Sequence, residues 1–169
     1  MSGGYREIHV PSPNFSASPP HERLGACFHH TVLPLAATLA LMRQRVSGVS
    51  YHVIIAYDGG RTRLVADAWV AWHAGVSSFQ GRDGCNAFLL GVAFEGDTRA
   101  APLTRPQLDS ALEWLAPRWR KHAWSPATMT DHRQIAPGRK DDLAPAEWTR
   151  LHAAIIARFV PSLEFRTEA

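Results

Sequence analysis

The stretch LGACFHH, residues 24–30, is a short apolar run that ends in two histidines. Its length and composition predict a buried strand that ends at His29 and His30. Adjacent side chains on a strand point to opposite faces, so at most one of these two histidines faces a given cleft. The run therefore predicts a sheet whose strand end presents one imidazole to a functional site.

The segments around this run predict a single α/β domain. FLLGVAF, residues 88–94, predicts a second buried strand, and Gly91 within it indicates close approach by a neighbour. Thr104 and Gln107 fit a capping box at the start of a helix that runs to about His122. The other predicted elements are a helix over 35–45, a hairpin over 51–66 with its turn at 58–60, short strands over 69–72 and 129–131, and a helix from Pro145 through Ala157. The order favours a central mixed β-sheet flanked by helices.

The chain ends are predicted to differ from the folded part. Residues 1–23 contain four of the twelve prolines and predict an extended N-terminal arm. One domain is expected over residues 24–160, followed by a C-terminal tail over 161–169. With 169 residues, the chain is long enough for one domain with a substantial core. We expect a monomer.

Charge and composition exclude several classes of protein. The formal charge is +3, and the basic residues form no clustered stripe, so we expect no nucleic-acid partner. No apolar run approaches the roughly 20 residues that a membrane helix needs. The N-terminus lacks the pattern of a secretory signal, so we expect a cytoplasmic protein as synthesised, with release or delivery to the cell wall by another route left open. Cys27 and Cys85 are expected to be buried free thiols.

A second polar stretch, DHRQIAPGRKDDLAP over residues 131–145, contains potential metal ligands. His132 and Asp142 lie ten residues apart around the Pro137–Gly138 turn, which can fold both onto one cation. Together with His29 they form a His-His-carboxylate set, and a catalytic zinc site needs three such ligands and an open position. The alternative is a hydrogen-bonded histidine at a strand end and a solvated turn.

Three further side chains fit a hydrolytic site. Beside a metal, the ammonium group of Lys140 can stabilise the oxyanion that develops when an amide carbonyl is attacked; without a metal it is a surface lysine. The phenol of Tyr51 can hydrogen-bond to reacting atoms, although ordinary strand packing explains it as well. His73 precedes a glycine-containing loop, as a side chain that contacts a ligand does.

Four motifs occur in an order that resembles a known family. They are FHHT over 28–31, VSYHVII over 49–55, AWHAGVSSFQGRDGCN over 71–86 and DHRQIAPGRKDD over 131–142. Together they resemble the zinc-dependent N-acetylmuramoyl-L-alanine amidases of the type 2 class, which include AmpD muropeptide amidases, phage amidases and peptidoglycan recognition proteins. VPSPNF over 10–15 is similar to the N-terminal arm of the AmpD branch, so the resemblance covers nearly the whole chain.

The resemblance implies a fold, a reaction and a site. It implies a mixed sheet with zinc in an open groove, and hydrolysis of the amide between N-acetylmuramic acid and L-alanine in peptidoglycan or muropeptides. By position, the Zn²⁺ ligands are His29, His132 and Asp142. Lys140 matches the catalytic lysine, and Tyr51 matches the tyrosine of the phage and recognition-protein members. The implied substrate-binding residues are His73, Arg82, Trp72 and Asn86.

Two departures from the AmpD branch leave alternatives open. AmpD enzymes carry a catalytic glutamate at the position of Ala93, and Glu95 matches a later glutamate without inheriting that role. Gly84 stands where AmpD has an arginine that binds muramoyl acid groups, for which Arg82 is a substitute. The alternatives are a peptidoglycan-binding module that has lost turnover, or a hydrolase acting on a different amide.

Overall fold

Strand β3 (Gly25–His30), which contains the opening stretch, lies between two other strands in the interior of the sheet. The computed structural model describes residues 4–17 and 22–160. The expected C-terminal tail over 161–169 lies outside the described residues, as do residues 1–3 and 18–21 of the expected N-terminal arm.

The helices and strands follow the predicted order, with additional short strands. The strands are β1 (Glu7–His9), β2 (Phe15–Ser16), β3 (Gly25–His30), β4 (Val53–Ile55), β5 (Arg61–Arg63), β6 (Val70–Ala71), β7 (Ser78–Phe79), β8 (Arg82–Asp83), β9 (Leu89–Phe94) and β10 (Met129–Asp131). The helices are α1 (Leu35–Met42), α2 (Arg105–Lys121), α3 (His132–Ile135) and α4 (Pro145–Phe159).

The main sheet is mixed, with strand order β1-β5-β4-β9-β3-β10. The pairs β1–β5, β4–β9, β9–β3 and β3–β10 are parallel, whereas β4 and β5 form the predicted antiparallel hairpin. His29 on β3 pairs in register with Ala93 on β9, and Phe28 pairs with Asp131 on β10. Because the carboxyl ends of parallel strands meet at one edge, His29 lies near the residues that follow β10. The predicted mixed sheet flanked by helices is confirmed.

The two faces of β3 pack against different groups. Ala26 and Phe28 belong to an apolar cluster that includes Leu115 of α2 and Leu151 of α4. Cys27 belongs to a cluster on the other face, with residues of the loop that follows β6. His29 is two residues beyond Cys27 and shares its face, because side chains alternate along a strand. Both cysteines are buried free thiols, as expected.

The capping signals locate the long helices well. Thr104 accepts from the backbone N–H of Gln107 and the side chain of Gln107 accepts from the N–H of Thr104, which completes the predicted capping box. The helix α4 begins at Pro145, as predicted, and continues two residues beyond the predicted end. In contrast, α1 ends at Met42, earlier than predicted, and a 3-10 turn carries the chain to Gly48. Among the described residues, no helix is long and apolar enough to cross a membrane.

Part of the N-terminal arm belongs to the sheet. β1 pairs in parallel with β5 and forms one edge of the main sheet, while β2 pairs with β6. The buried side chain of Asn14 donates to backbone carbonyls of Met42, Gln44 and Val49. These bonds attach the arm to the segment between α1 and β4. Proline content predicts the extended conformation of this arm but not its partners.

Candidate metal centre and groove

Three side chains converge at the carboxyl edge of the sheet. His29 is near the end of β3, His132 follows β10 directly, and Asp142 lies in the turn after α3. The Nδ1 atoms of His29 and His132 are 3.0 Å apart. The Oδ2 of Asp142 lies 3.2 Å from the Nδ1 of His29, and its Oδ1 lies 3.2 Å from the Nδ1 of His132. All three side chains are buried. The structure thus brings together the three residues that the sequence motifs nominate as zinc ligands.

Hydrogen bonds at the far side of each ring fix which nitrogen carries the proton. The Nε2 of His132 lies 3.1 Å from the carbonyl oxygen of Ala74, which can only accept, so this nitrogen is the donor. The Nε2 of His73 lies 3.0 Å from the carbonyl of Leu89 and is a donor for the same reason. The Nδ1 of His73 therefore accepts, and its partner at 3.0 Å, the Nε2 of His29, donates. The Nδ1 of His29 is therefore unprotonated, and it faces Asp142 together with the Nδ1 of His132.

This arrangement fits a cation. The unprotonated Nδ1 of His29 and the ionised carboxylate of Asp142 are both acceptors, and the Nδ1 of His132 lies close to each of them. Burial lowers the pKa of His29 to about 4, so its Nδ1 carries no proton near pH 7. Two imidazoles and one carboxylate are a donor set typical of catalytic zinc. The residues present therefore fit the zinc ion that the motifs imply.

A neighbouring set of potential ligands has a different character. Cys27, His29 and His73 also place one ligand atom each within 4.8 Å of one another, and all three are buried. Here the facing nitrogens of His29 and His73 already share a hydrogen bond. A metal ion on this side would have to displace that proton. The cluster of His29, His132 and Asp142 is the better metal site.

A groove of about 420 Å³ is lined by His132 and Asp142, whereas the fully buried His29 is not among its lining residues. Lys140 is exposed and also lines the groove. Tyr51 lines it as well, with its ring centroid 5.1 Å from that of His29. Burial, followed by the charge of Asp142, raises the pKa of Tyr51 above its ordinary value. The phenol is therefore protonated at neutral pH and can donate a hydrogen bond into the groove.

Comparisons with known proteins identify the family to which this fold belongs. The model of the N-acetylmuramoyl-L-alanine amidase family, Amidase_2, matches residues 21–145. The chain belongs to this family. The amidase is 34% identical over 173 residues to the 1,6-anhydro-N-acetylmuramyl-L-alanine amidase AmpD of Citrobacter freundii, with 86% of this chain and 88% of the relative covered. It is 33% identical over 181 residues to the AmpD of Escherichia coli K12, with 86% and 90% covered.

A solved structure extends the likeness to the backbone. A crystal structure of a selenomethionine derivative of AmpD superimposes with a TM-score of 0.70 at 28% sequence identity, covering 92% of this chain and 96% of that one. These similarities confirm the family, the fold and the amidase activity that the motifs predict.

Asn86 and Trp72 line the groove of this amidase, as the motifs imply. The side-chain oxygen of Asn86 accepts from the backbone N–H groups of His73 and Ala74, at 2.9 and 2.7 Å. This leaves its amide N–H donors for other partners. The indole N–H of Trp72 donates to the hydroxyl of Ser16 at 3.0 Å, which ties the rim of the groove to β2. His73 also lines the groove, but both of its ring nitrogens are engaged below it.

The resemblance implies that Arg82 binds substrate, and it is not among the described residues that line the groove. It lies on the β7–β8 hairpin, where its guanidinium group forms an ion pair with Glu22 at 2.7 Å and lies 4.5 Å from the ring centroid of Phe88. These two partners are the contacts of the guanidinium group, and a role for Arg82 in substrate binding stays a prediction.

Two arginines that the sequence did not indicate, Arg139 and Arg99, line the groove. Arg139 donates to the carbonyls of Ala74 and Val76, both at 2.6 Å, and so connects the turn before Asp142 to the loop after β6. Arg99 forms ion pairs with Asp97 and Asp141. Arg139 belongs to the same APGRK motif as Lys140, and that motif was the available signal. Arg99 has no comparable motif.

The carboxylate of Glu95 is hydrogen-bonded to the protein backbone. Its carboxylate accepts from the backbone N–H groups of Leu35 at 2.7 Å and Tyr57 at 3.2 Å. The first of these bonds satisfies a free N–H at the start of α1. Ala93, at the position of the AmpD glutamate, is fully buried in a cluster with Tyr51 and Ile54. The structure therefore gives Glu95 a structural role.

Proposed function

We propose that this amidase hydrolyses the amide between the lactyl group of N-acetylmuramic acid and L-alanine in muropeptides, with zinc held by His29, His132 and Asp142. The proposal rests mainly on one observation: the Nδ1 atoms of His29 and His132 lie 3.0 Å apart and each is 3.2 Å from the carboxylate of Asp142, beside an open groove that His132 and Asp142 line. The AmpD relatives are named for the 1,6-anhydro form of this substrate, which supports a muropeptide rather than an intact wall polymer.

The metal and the protein have separate tasks in this proposal. When bound, zinc supplies a Lewis acid that polarises a carbonyl and lowers the pKa of water. The protein holds the ligand atoms in place through hydrogen bonds at their far sides, and buries them so that charges interact strongly. Arg139 keeps the turn that contains Asp142 against the loop that contains Ala74.

Lys140 and Tyr51 act on the scissile carbonyl in this proposal. Both line the groove that lies over the ligand cluster. The Lys140 ammonium stabilises the negative charge that develops on the carbonyl oxygen during attack. The Tyr51 phenol stays protonated and donates a hydrogen bond to the same developing charge or to the attacking water. In this role it replaces the glutamate that is missing at Ala93.

Product analysis with controlled metal content tests the proposal. The protein is treated with a chelator, dialysed, and incubated with an anhydro-muropeptide before and after zinc is restored. Mass spectrometry is expected to show anhydro-N-acetylmuramic acid and free stem peptide only in the zinc-restored sample. Asp142→Asn is expected to bind no zinc and release no product. Absence of lactyl–alanine cleavage in the zinc-loaded wild type contradicts the proposal.

We also propose a monomer that acts in the cytoplasm. Light scattering behind size-exclusion chromatography tests the first statement, and fractionation of cells that express the tagged chain tests the second. A dimer mass, or recovery in the cell-wall fraction alone, contradicts them.

A further inference from the structure

We propose that His73 is a positioning residue that keeps the proton of His29 on Nε2, and thereby presents Nδ1 to the metal. This inference rests on the proposed zinc site. It changes the role of His73, which the motifs suggest contacts substrate. The relevant feature is a chain of two hydrogen bonds that ends at the backbone carbonyl of Leu89.

The donor and acceptor roles in this series of hydrogen bonds follow from the carbonyl of Leu89, which can only accept. The Leu89 carbonyl accepts from the Nε2–H of His73 at 3.0 Å, so the Nδ1 of His73 carries a lone pair. That lone pair accepts from the Nε2–H of His29, also at 3.0 Å. The two rings meet edge to face, at an interplanar angle of 82°. A neutral His29 held this way has its free lone pair on Nδ1, 3.2 Å from Asp142.

The surrounding residues shape a place for this ring. A Cβ at Gly91 of β9 would lie 2.5 Å from the Cγ of His73, so only glycine leaves room for the imidazole. The backbone N–H of His73 donates to Asn86, which fixes the residue from the other side. His73 is only 5% exposed. Because both ring nitrogens are already bonded, neither is free to bind substrate.

The two histidine ligands therefore differ in how they are supported. His132 donates directly to a backbone carbonyl, that of Ala74, which no substitution removes. His29 depends on a side chain, because His73 stands between it and the carbonyl of Leu89. Loss of such a hydrogen-bond partner typically weakens metal affinity about 10–100-fold. We expect that penalty when His73 can no longer accept from His29.

Two substitutions separate the accepting and donating atoms of His73. In His73→Asn the amide oxygen can occupy the position of Nδ1 and still accept from His29. In His73→Gln the amide nitrogen can reach the position of Nε2 and donate to Leu89, but the acceptor is lost. We expect zinc affinity, measured by competition with a chelator, to fall about 10–100-fold in His73→Gln and by much less in His73→Asn.

His52→Asn is the matched control. His52 is a second buried imidazole nearby, whose Nδ1 accepts from the N–H of Gly91 and whose Nε2 donates to the carbonyl of Trp69. The substitution is expected to leave zinc affinity unchanged. Equal affinity in His73→Gln and His73→Asn overturns the inference, and so does an equal loss in His52→Asn.

A spectroscopic readout keeps the test independent of folding and of zinc uptake. Long-range ¹H–¹⁵N NMR spectra of the metal-free wild type are expected to show the proton of His29 on Nε2. A proton on Nδ1 overturns the inference even if every variant misfolds. A wild type that takes up no zinc but shows the Nε2 tautomer contradicts the proposed function instead, so the two failures are distinguishable.

Discussion

His29 and His30 are adjacent at the end of one strand, and both are buried, yet their surroundings are opposite. The Nδ1 of His30 accepts from the backbone N–H of Thr98 at 3.2 Å and lies 2.8 Å from its hydroxyl, so its lone pair is satisfied. The Nδ1 of His29 instead lies 3.0 Å from the Nδ1 of His132 and 3.2 Å from an oxygen of Asp142. The Nδ1 of His30 thus has its partner within the protein, whereas that of His29 belongs to the cluster proposed to bind zinc.

This difference shows what distinguishes a structural polar cluster from a binding site. A buried polar atom with its partner in place stabilises the fold, and one without a partner costs roughly 1–3 kcal/mol. Glu95 belongs with His30, since both of its oxygens accept backbone N–H groups. Under the proposed function, zinc supplies the partner that the unprotonated Nδ1 of His29 lacks in the metal-free protein. Zinc should therefore stabilise the fold.

The largest expected effect comes from removing each histidine in turn. In His29→Ala, zinc binding, amidase activity and the thermal stabilisation by zinc are all expected to disappear. In the wild type that stabilisation reaches about 2.7 kcal/mol at a free zinc concentration of 100 Kd. His30→Ala should lose about 1–3 kcal/mol because Thr98 loses its acceptor, yet keep the response to zinc. Calorimetry with and without zinc measures both, and an unchanged zinc response in His29→Ala refutes the assignment.

A smaller effect is expected from replacing Lys140, which lines the groove. Lys140→Ala removes a donor from the developing oxyanion and should lower kcat about 10²–10³-fold with zinc content unchanged. The chain offers a matched control because its one other lysine, Lys121, is exposed at the end of α2. Lys121→Ala should keep wild-type rates. Steady-state kinetics and metal analysis decide, and similar rates for the two variants contradict a catalytic role for Lys140.

Tyr51→Phe removes one hydroxyl and leaves the ring packed against His29. A net worth of about 1 kcal/mol for one neutral hydrogen bond corresponds to a loss of kcat of roughly five- to tenfold. The free energy of unfolding should change little, because the ring remains in its apolar cluster. Rates measured beside urea unfolding curves test this. Full activity in the variant shows that the phenol does not substitute for the glutamate absent at Ala93.

The sequence predicts the metal-ligand candidates and the helix starts better than it predicts the contacts between them. Strand alternation shows that His29 and His30 face opposite sides, but it does not say which of the two is the candidate metal ligand. The family motifs select His29, and the structure brings it together with His132 and Asp142. Helix starts were predicted well because a capping box is a local signal between Thr104 and Gln107.

Contacts between residues far apart in the chain could not be predicted from the sequence. The role of His73 depends on a contact with His29, 44 positions away, and on a backbone carbonyl that no residue type reveals. The ion pair of Arg82 with Glu22, sixty positions earlier, could not be predicted from its sequence neighbours, which suggest the groove. β1 was missed as a strand because its pairing partner, β5, lies more than fifty positions along the chain.

Glu95 tests the expectation for polar groups whose hydrogen bonds are complete within the protein. Glu95→Gln keeps one acceptor oxygen, so we expect nearly full activity and a loss of stability of at most about 1 kcal/mol. A general base at this position would instead cost roughly 10²–10⁴-fold in rate. Glu95→Ala removes both acceptors and should be the less stable variant, by about 1–2 kcal/mol relative to the wild type. A large loss of kcat in Glu95→Gln, with a normal unfolding curve, contradicts the structural role.

The last expected effect is on stability alone, at Val32, where the chain leaves the two histidines. Val32 has φ of 61°, a left-handed conformation that a β-branched residue rarely adopts, and its side chain is 51% exposed at the groove. Such strain costs about 1–3 kcal/mol, while glycine adds about 0.5–1 kcal/mol of backbone entropy cost. Val32→Gly should therefore be as stable as the wild type or more stable, by up to about 2 kcal/mol. Urea unfolding checks this. A clear loss of stability would mean that the Val32 side chain, although half exposed, contributes more by its contacts than its backbone costs, and that the turn after His30 is held by packing as well as by hydrogen bonds.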